Sequence, residues 1–161
     1  AFDDRDPQGS VRFWAREVGG IPMLEDAPES EILICDTPGH ITSDDSKAHA
    51  ELCDLIRQSD RLVVVSEKSL FSIHATTPMV RLLHAHRSAE SQVYLLLNKV
   101  RPARRQDSMK EQAVAFRLGV PLLTPFVPLS ASFEHLQTRG ISALKSAQLE
   151  TVLALALQLV K

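Results

Sequence analysis

The residues best suited to chemistry are acidic, and the clearest of them ends a short apolar run. Residues Ile32 to Cys35 form an uncharged run typical of a strand buried on both faces, and Asp36 ends it. Pro38 and Gly39 then turn the chain away. A carboxylate in this position lies where open α/β sheets bind ligands, and nucleotide hydrolases use it to hold Mg²⁺ beside phosphates. The alternative is a strand that simply ends in a common turn composition.

A second group of candidates is basic. Residues 1–60 carry 14 Asp and Glu against 5 Lys and Arg, whereas residues 61–161 carry 6 against 13, so −9 and +7 give the net charge of −2. Within the basic run from Lys99 to Lys110, Arg101, Arg104 and Arg105 are candidates for contacts to DNA phosphates. Solvated faces of opposite charge would produce the same distribution, so both interpretations stay open.

Hydropathy predicts the elements that must position these side chains. Besides the run that ends at Asp36, apolar runs at 62–65 and 93–97 predict buried strands. Ser10 is the expected N-cap of a short helix. Pro78 is expected in the first turn of a later helix. The first helix is predicted to run from Ser10 to residue 16. Further helices are predicted over residues 46–59, 75–88, 108–118 and 131–138, and a last helix is predicted to begin at residue 142 or 146.

Short apolar strands that alternate with helices predict βαβ units. We therefore expect residues 1–161 to form one α/β domain, with a single doubly wound, mainly parallel sheet and helices on both faces. The strands near 31–36, 61–66 and 93–98 should then be mutually parallel, with Asp36 and Asn98 at one edge. With 161 residues and 44% hydrophobic content, the chain can bury one ordinary core.

Composition also narrows the cellular setting. No apolar run has membrane-spanning length, so we expect no membrane partner. The acidic amino terminus lacks a signal-peptide core, which indicates a cytoplasmic protein. Cys35 and Cys53 are expected to be reduced thiols, and no Cys/His spacing suggests a zinc site.

Several motifs together resemble those of one known family. Residues Asp4 to Ser10 read D-R-D-P-Q-G-S and resemble the D-x-D-P-Q-G-S switch loop of the ParA/MinD-type (deviant Walker) partition ATPases. The segment 32–39 resembles the Walker B strand and second switch of that family. Residues 59–65 are similar to its A-D-x-V segment, and residues 95–100 to its strand ending in L-N-x-V. The resemblance runs along essentially the whole chain and implies a P-loop NTPase-like fold.

The resemblance also implies an activity. The family's members dimerise around two ATP molecules with Mg²⁺, bind DNA non-specifically and segregate plasmids or chromosomes, and a ParB-like partner stimulates hydrolysis. By this resemblance Asp6 and Asp36 would hold Mg²⁺ and support catalysis. Gly39 would lie near the γ-phosphate, Asn98 would contact the adenine edge, and Pro128 would line the base pocket. The resemblance also implies a homodimer. It implies a cytoplasmic location in which the protein associates with the nucleoid.

The chain departs from the family in one essential motif. None of its six lysines follows a glycine, so neither K-G-G-x-G-K-T nor any other G-x-x-x-x-G-K-[ST] loop occurs. We expect the first strand and phosphate loop to be absent, which makes the chain either a truncated partition ATPase or a degenerate homologue. The alternative function is a non-catalytic interaction or regulatory module. Two family arginines are also missing, and Ser130 and Ser132 stand near their positions.

Overall fold

In a computed structural model, which describes residues 1–39, 46–101 and 108–160, strands and helices alternate as far as residue 118, and further helices follow. No helix in these ranges is both long and apolar enough to cross a membrane. The elements in chain order are β1 (Phe2–Asp4), α1 (Ser10–Glu17), β2 (Ile34–Asp36), α2 (Ser46–Gln58), β3 (Arg61–Glu67), α3 (Leu70–His86), β4 (Gln92–Asn98), α4 (Ser108–Leu118), α5 (Ala131–Arg139), a 3₁₀ turn (Gly140–Ala143) and α6 (Ser146–Leu159).

The chain divides into two compact units. The first comprises Ala1–Leu52 and Ser132–Leu144, and it contains β1 and β2 as a parallel pair. In their register Phe2 is the partner of Ile34, and Asp4 is the partner of Asp36. The Phe2 N–H donates to the Pro22 carbonyl at 2.9 Å, so the connector before β2 lies against the other edge of β1.

The second unit comprises Cys53–Ala131 and Lys145–Lys161. Here β3 and β4 form a parallel pair in which Glu67 is the partner of Asn98. Isolated bridges join Leu95 to Leu122 and Val100 to Pro128 along the other edge of β4. Alternate residues of β3 and β4 point into the core. The most deeply buried large side chains are Ile56, Leu95, Leu97 and Leu123.

The prediction of a single doubly wound sheet is wrong. The described residues form two separate two-stranded parallel sheets, β1–β2 and β3–β4, so only the pairing of the strands near 61–66 and 93–98 follows the expectation. The apolar run before Asp36 is not buried on both faces, because Ile32 and Leu33, which precede β2, and Ile34, which begins it, are 52%, 47% and 50% exposed. An apolar run shows that a strand is suited to burial, but a neighbouring element must cover it, and the run does not specify that neighbour.

The helices agree better with prediction, with one informative exception. α4 has the predicted bounds, and α2 ends one residue before the predicted end. α3 begins at Leu70 rather than at residue 75, because the Ser69 hydroxyl accepts the Ser72 N–H at 3.0 Å and caps the helix there. Pro78 therefore lies inside α3, not in its first turn. In the turn that this proline disturbs, the hydroxyls of Thr76 and Thr77 donate to the Ile73 carbonyl.

Candidate functional site

Asp4 organises the loop that follows β1. Its side chain is buried, at 8% exposure, and both carboxylate oxygens accept backbone hydrogen bonds. One accepts the Asp6 N–H at 3.2 Å, and the other accepts the Arg12 N–H at 2.7 Å. The second bond satisfies a donor in the first turn of α1, where the N-cap residue is Gly9 and not the expected Ser10. Asp4 thus caps α1 from the neighbouring strand, a role that sequence spacing did not reveal.

Asp6 shapes the next part of the same loop. Its carboxylate accepts the Gln8 N–H at 2.9 Å, and its carbonyl accepts the Gly9 N–H at 2.9 Å. Gly9 has φ of 63°, in the left-handed region that glycine adopts without strain. A Cβ at this position would contact nothing within 4 Å, so the backbone conformation, and not lack of space, favours glycine. The loop therefore holds Asp6 at a defined point between β1 and α1.

Asp36 ends β2 beside these two carboxylates. It is the register partner of Asp4, and its carbonyl accepts the Arg5 N–H at 2.8 Å. Desolvation raises the pKa of the Asp36 carboxyl, and the negative charges of Asp4 and Asp6 raise it further, while a hydrogen bond from the Thr37 backbone acts in the opposite direction. The structure therefore brings the predicted pair, Asp6 and Asp36, to one end of the first sheet and adds Asp4 to them.

The opposite face of this strand pair carries Asp3 and Cys35, which are not part of the acidic cluster. Asp3 and Cys35 are register partners one residue before Asp4 and Asp36, so they lie on the opposite face of the sheet. Arg5 Nε donates to the Asp3 carboxylate at 2.6 Å, and this contact raises the pKa of the Arg5 guanidinium. Burial raises the pKa of the Cys35 thiol, which disfavours the thiolate form that metal binding and nucleophilic attack require.

The carboxylates suit a hard divalent cation. No group of three or more His, Cys, Asp or Glu side chains among the described residues has the geometry to hold a metal ion. Mg²⁺ needs no such cage, because it is usually bound by one or two carboxylates, water and substrate phosphates. Since both oxygens of Asp4 are occupied by backbone donors, Asp36 and Asp6 are the residues that would hold it. A cation there would also relieve the repulsion that raises the Asp36 pKa.

A second cluster lies at the carboxyl end of the sheet in the other unit. Asn98 ends β4, and its side-chain oxygen accepts the Lys99 N–H at 2.8 Å. Lys99 has φ of 54°, and its ammonium lies 3.0 Å from a carboxylate oxygen of Glu67. The bridge between Val100 and Pro128 places the Pro128 segment beside the end of β4. The structure thus places Asn98 and Pro128, which the resemblance assigns to base binding, at the same end of this sheet.

The remaining predicted site residues are either exposed or outside the described part of the chain. Gly39 follows β2 and is exposed, and Arg101 is exposed just beyond β4. Arg104 and Arg105 lie outside the described residues. The sequence motifs therefore correspond to two local clusters, an acidic one in the first unit and an amide-and-proline one in the second.

No protein-family model matches the chain, and no curated protein matches it.

The raised pKa of Asp36 leads to a prediction about stability. The folded state binds the Asp36 proton more tightly than the unfolded chain does. The stability that this protonation contributes is therefore fully present below the pKa of Asp36 in the unfolded chain, and it is lost as pH rises through the pKa in the folded state. Asp36→Asn should therefore make the protein more stable at pH 7, by up to about 1 kcal/mol for opposed like charges, and should lose this advantage below about pH 4. Urea denaturation at a series of pH values measures the difference.

The matched control is Asp26→Asn, which removes an exposed carboxylate from a turn of the same unit. We expect this control to change stability by less than about 0.5 kcal/mol at either pH. A variant Asp36→Asn that is less stable than the wild type at pH 7 would contradict the electrostatic interpretation of this site.

Proposed function

We propose that this chain provides the magnesium-facing part of a ParA-like ATPase that acts in plasmid or chromosome partitioning. The observation that supports this most directly is the parallel register of β1 and β2, which sets Asp36 opposite Asp4 and beside the loop of Asp6. The D-R-D-P-Q-G-S and D-T-P-G motifs are far apart in sequence, but Asp4 and Arg5 of the first lie beside Asp36 of the second. Such convergence is what a site for phosphoryl transfer requires.

The chain's own residues have separable roles in this proposal. Bound Mg²⁺ would supply charge neutralisation on the phosphates. Asp36 and Asp6 would hold the ion, and Asp6 would also orient the attacking water. Asp4 fixes the loop, so that the position of Asp6 is set before the substrate arrives. Asn98 would donate its amide to the base, because the side-chain oxygen already accepts the Lys99 N–H.

A graft tests this function. A strand, phosphate-binding loop and helix carrying K-G-G-x-G-K-T, joined ahead of Ala1, should produce ATP hydrolysis that depends on Mg²⁺. Asp36→Asn in the graft should abolish that hydrolysis, whereas Asp26→Asn should not. A graft that binds ATP and Mg²⁺ yet shows equal turnover with and without Asp36→Asn would refute the assignment.

A non-catalytic module is the second candidate function, and one observation favours it. The 161 residues contain no lysine after a glycine, so they contain no loop of the kind that binds β- and γ-phosphates. On this view the acidic loop is retained for its contribution to folding. A folded graft that binds ATP but hydrolyses none would support this candidate over the first.

The basic run offers a test of DNA binding as part of the proposed function. If Arg101, Arg104 and Arg105 contact phosphates, replacing all three with alanine should weaken binding about equally for any DNA sequence. The slope of log K against log salt should also decrease by about two to three, since each lost phosphate contact removes close to one unit. Fluorescence anisotropy with two unrelated duplexes measures both effects, and unchanged affinity would assign the run to the solvated surface.

A further inference from the structure

Residues 120–129, which form the Pro128 segment, join the edge of β4 in two different registers. Leu122 bridges Leu95, which is 27 residues earlier, whereas Pro128 bridges Val100, which is 28 residues earlier. Between the two bridges the Pro128 segment therefore has one residue more than the chain opposite it, and such an insertion is a β-bulge. A bulge re-aims the side chains that follow it, so this one decides which residue of the segment lies at the end of β4.

Backbone hydrogen bonds locate the bulge. The Leu123 N–H donates to the Leu95 carbonyl at 2.9 Å, and the Val127 N–H donates to the Leu97 carbonyl at 3.0 Å, so the segment advances four residues while β4 advances two. An unbroken ladder would require residue 125 to donate to the Leu97 carbonyl, but this residue is proline, which has no N–H. Beyond β4, Lys99 has φ of 54° and adds a residue on the other side, which leaves the net difference of one.

The side chain of Gln158, in α6, binds the backbone at the bulge. Its Oε1 accepts the Thr124 N–H at 3.4 Å, and its Nε2 donates to the Thr124 carbonyl. Nε2 also donates to the Ala154 carbonyl at 2.8 Å, one turn earlier in α6, which fixes the orientation of the amide. The amide thus offers Thr124 the donor and the acceptor that a neighbouring strand would otherwise offer. Both partners belong to the second unit.

We propose that Gln158 is a positioning residue, which holds the bulge and thereby sets Pro128 beside the end of β4. If the register at Leu95 continued without a bulge, Val127 and not Pro128 would lie opposite Val100. A shift of one residue also turns every following side chain to the other face of the strand. The consequence for nucleotide binding rests on the proposed function, in which Asn98 contacts the base, whereas the register itself does not.

Amide hydrogen exchange of the full chain, followed residue by residue by NMR, tests the proposal. Gln158→Leu removes both hydrogen bonds to Thr124, and we expect it to speed exchange of the Val127 N–H by at least about tenfold. The Leu123 N–H, which bonds to β4 before the bulge, should change by less than about twofold. Glu150→Leu is the matched control, because it replaces an exposed polar residue of the same helix and should change neither rate.

A second variant guards against a general loss of stability. Gln158→Glu keeps the shape of the side chain and its acceptor for the Thr124 N–H, but at pH 7 it has no donor for the Thr124 carbonyl. We expect the same selective pattern as for Gln158→Leu. Equal acceleration at Leu123 and Val127 in both variants would overturn the proposal, because it would assign Gln158 to overall stability. Unchanged exchange at both residues would overturn it as well.

Adenosine, which carries a base and no phosphate, tests the consequence for the base in the same chain. Titration of the wild type should shift the NMR signals of Asn98, and Gln158→Leu should weaken this binding by at least about threefold, unlike Glu150→Leu. Selective exchange together with unchanged adenosine affinity would refute the link between Gln158 and base binding. A wild-type chain that binds no adenosine would count against the proposed base site, and the exchange rates would decide the role of Gln158 by themselves.

Discussion

Replacing Asp4 with alanine is expected to lower the free energy of unfolding by about 2 kcal/mol, the largest effect on stability of any site residue. Both carboxylate oxygens of this buried side chain accept backbone N–H groups, from Asp6 and from Arg12. Hydrogen bonds to a charged acceptor are worth more than neutral ones, and the bond to Arg12 also favours the helix N-terminus electrostatically. Relief of the repulsion with Asp36 offsets only part of the loss.

Urea denaturation of three variants separates these contributions. Asp4→Asn keeps one acceptor oxygen, so its loss should be about half that of Asp4→Ala. Asp3→Ala is the matched control, because the neighbouring carboxylate, whose side chain is 15% exposed, accepts its described hydrogen bond from the largely exposed Arg5 and not from the backbone, and it should cost about 1 kcal/mol. Equal destabilisation by Asp3→Ala and Asp4→Ala would show that Asp4 is not the residue that organises the loop.

The largest effects on ATP hydrolysis are expected from the lack of a phosphate-binding loop in this chain and from the replacement of Asp6. Residues 1–161 alone should neither bind ATP tightly nor hydrolyse it, since their sequence contains no G-x-x-x-x-G-K-[ST] loop to hold the β- and γ-phosphates. Loss of a single preorganised donor at such a site typically costs about 3 kcal/mol of transition-state stabilisation, and here a whole loop of donors is lacking. Steady-state phosphate release should therefore be indistinguishable from buffer for this chain. Turnover that survives repurification and is lost with Asp36→Ala would contradict this expectation.

In the grafted protein described above, Asp6→Ala should reduce hydrolysis at least a hundredfold while the dissociation constant for ATP changes less than threefold. The reason is that the grafted loop would supply most of the ground-state contacts to phosphate, whereas Asp6 acts on the attacking water and the ion. Gln8→Ala, in the same loop, is the control, because its backbone N–H to Asp6 is retained. A parallel loss of binding and hydrolysis would place Asp6 in nucleotide binding rather than in catalysis.

Local patterns in the sequence determined much of the secondary structure. A capping serine at residue 108 and a glycine at residue 119 predicted α4, and the β-branched run at 62–65 predicted the centre of β3. These predictions hold because a helix or strand depends mainly on residues close in sequence. The acidic motifs were also visible, since Asp6 and Asp36 stand in turn-forming segments whose composition is itself local.

Only the tertiary structure decided which of these elements meet. The apolar run before Asp36 predicted a covered strand, but within the described part of the chain β2 pairs with β1 alone, and Ile32 to Ile34 are half exposed. The Asp4 carboxylate caps α1 by accepting the N–H of Arg12, eight residues further on, because the strand and the helix fold back on each other. The Pro128 segment comes to lie beside the end of β4, which Asn98 terminates, through a bridge between Pro128 and Val100. Pairing over such distances depends on the competition among all the chain's surfaces for burial, which no local pattern encodes.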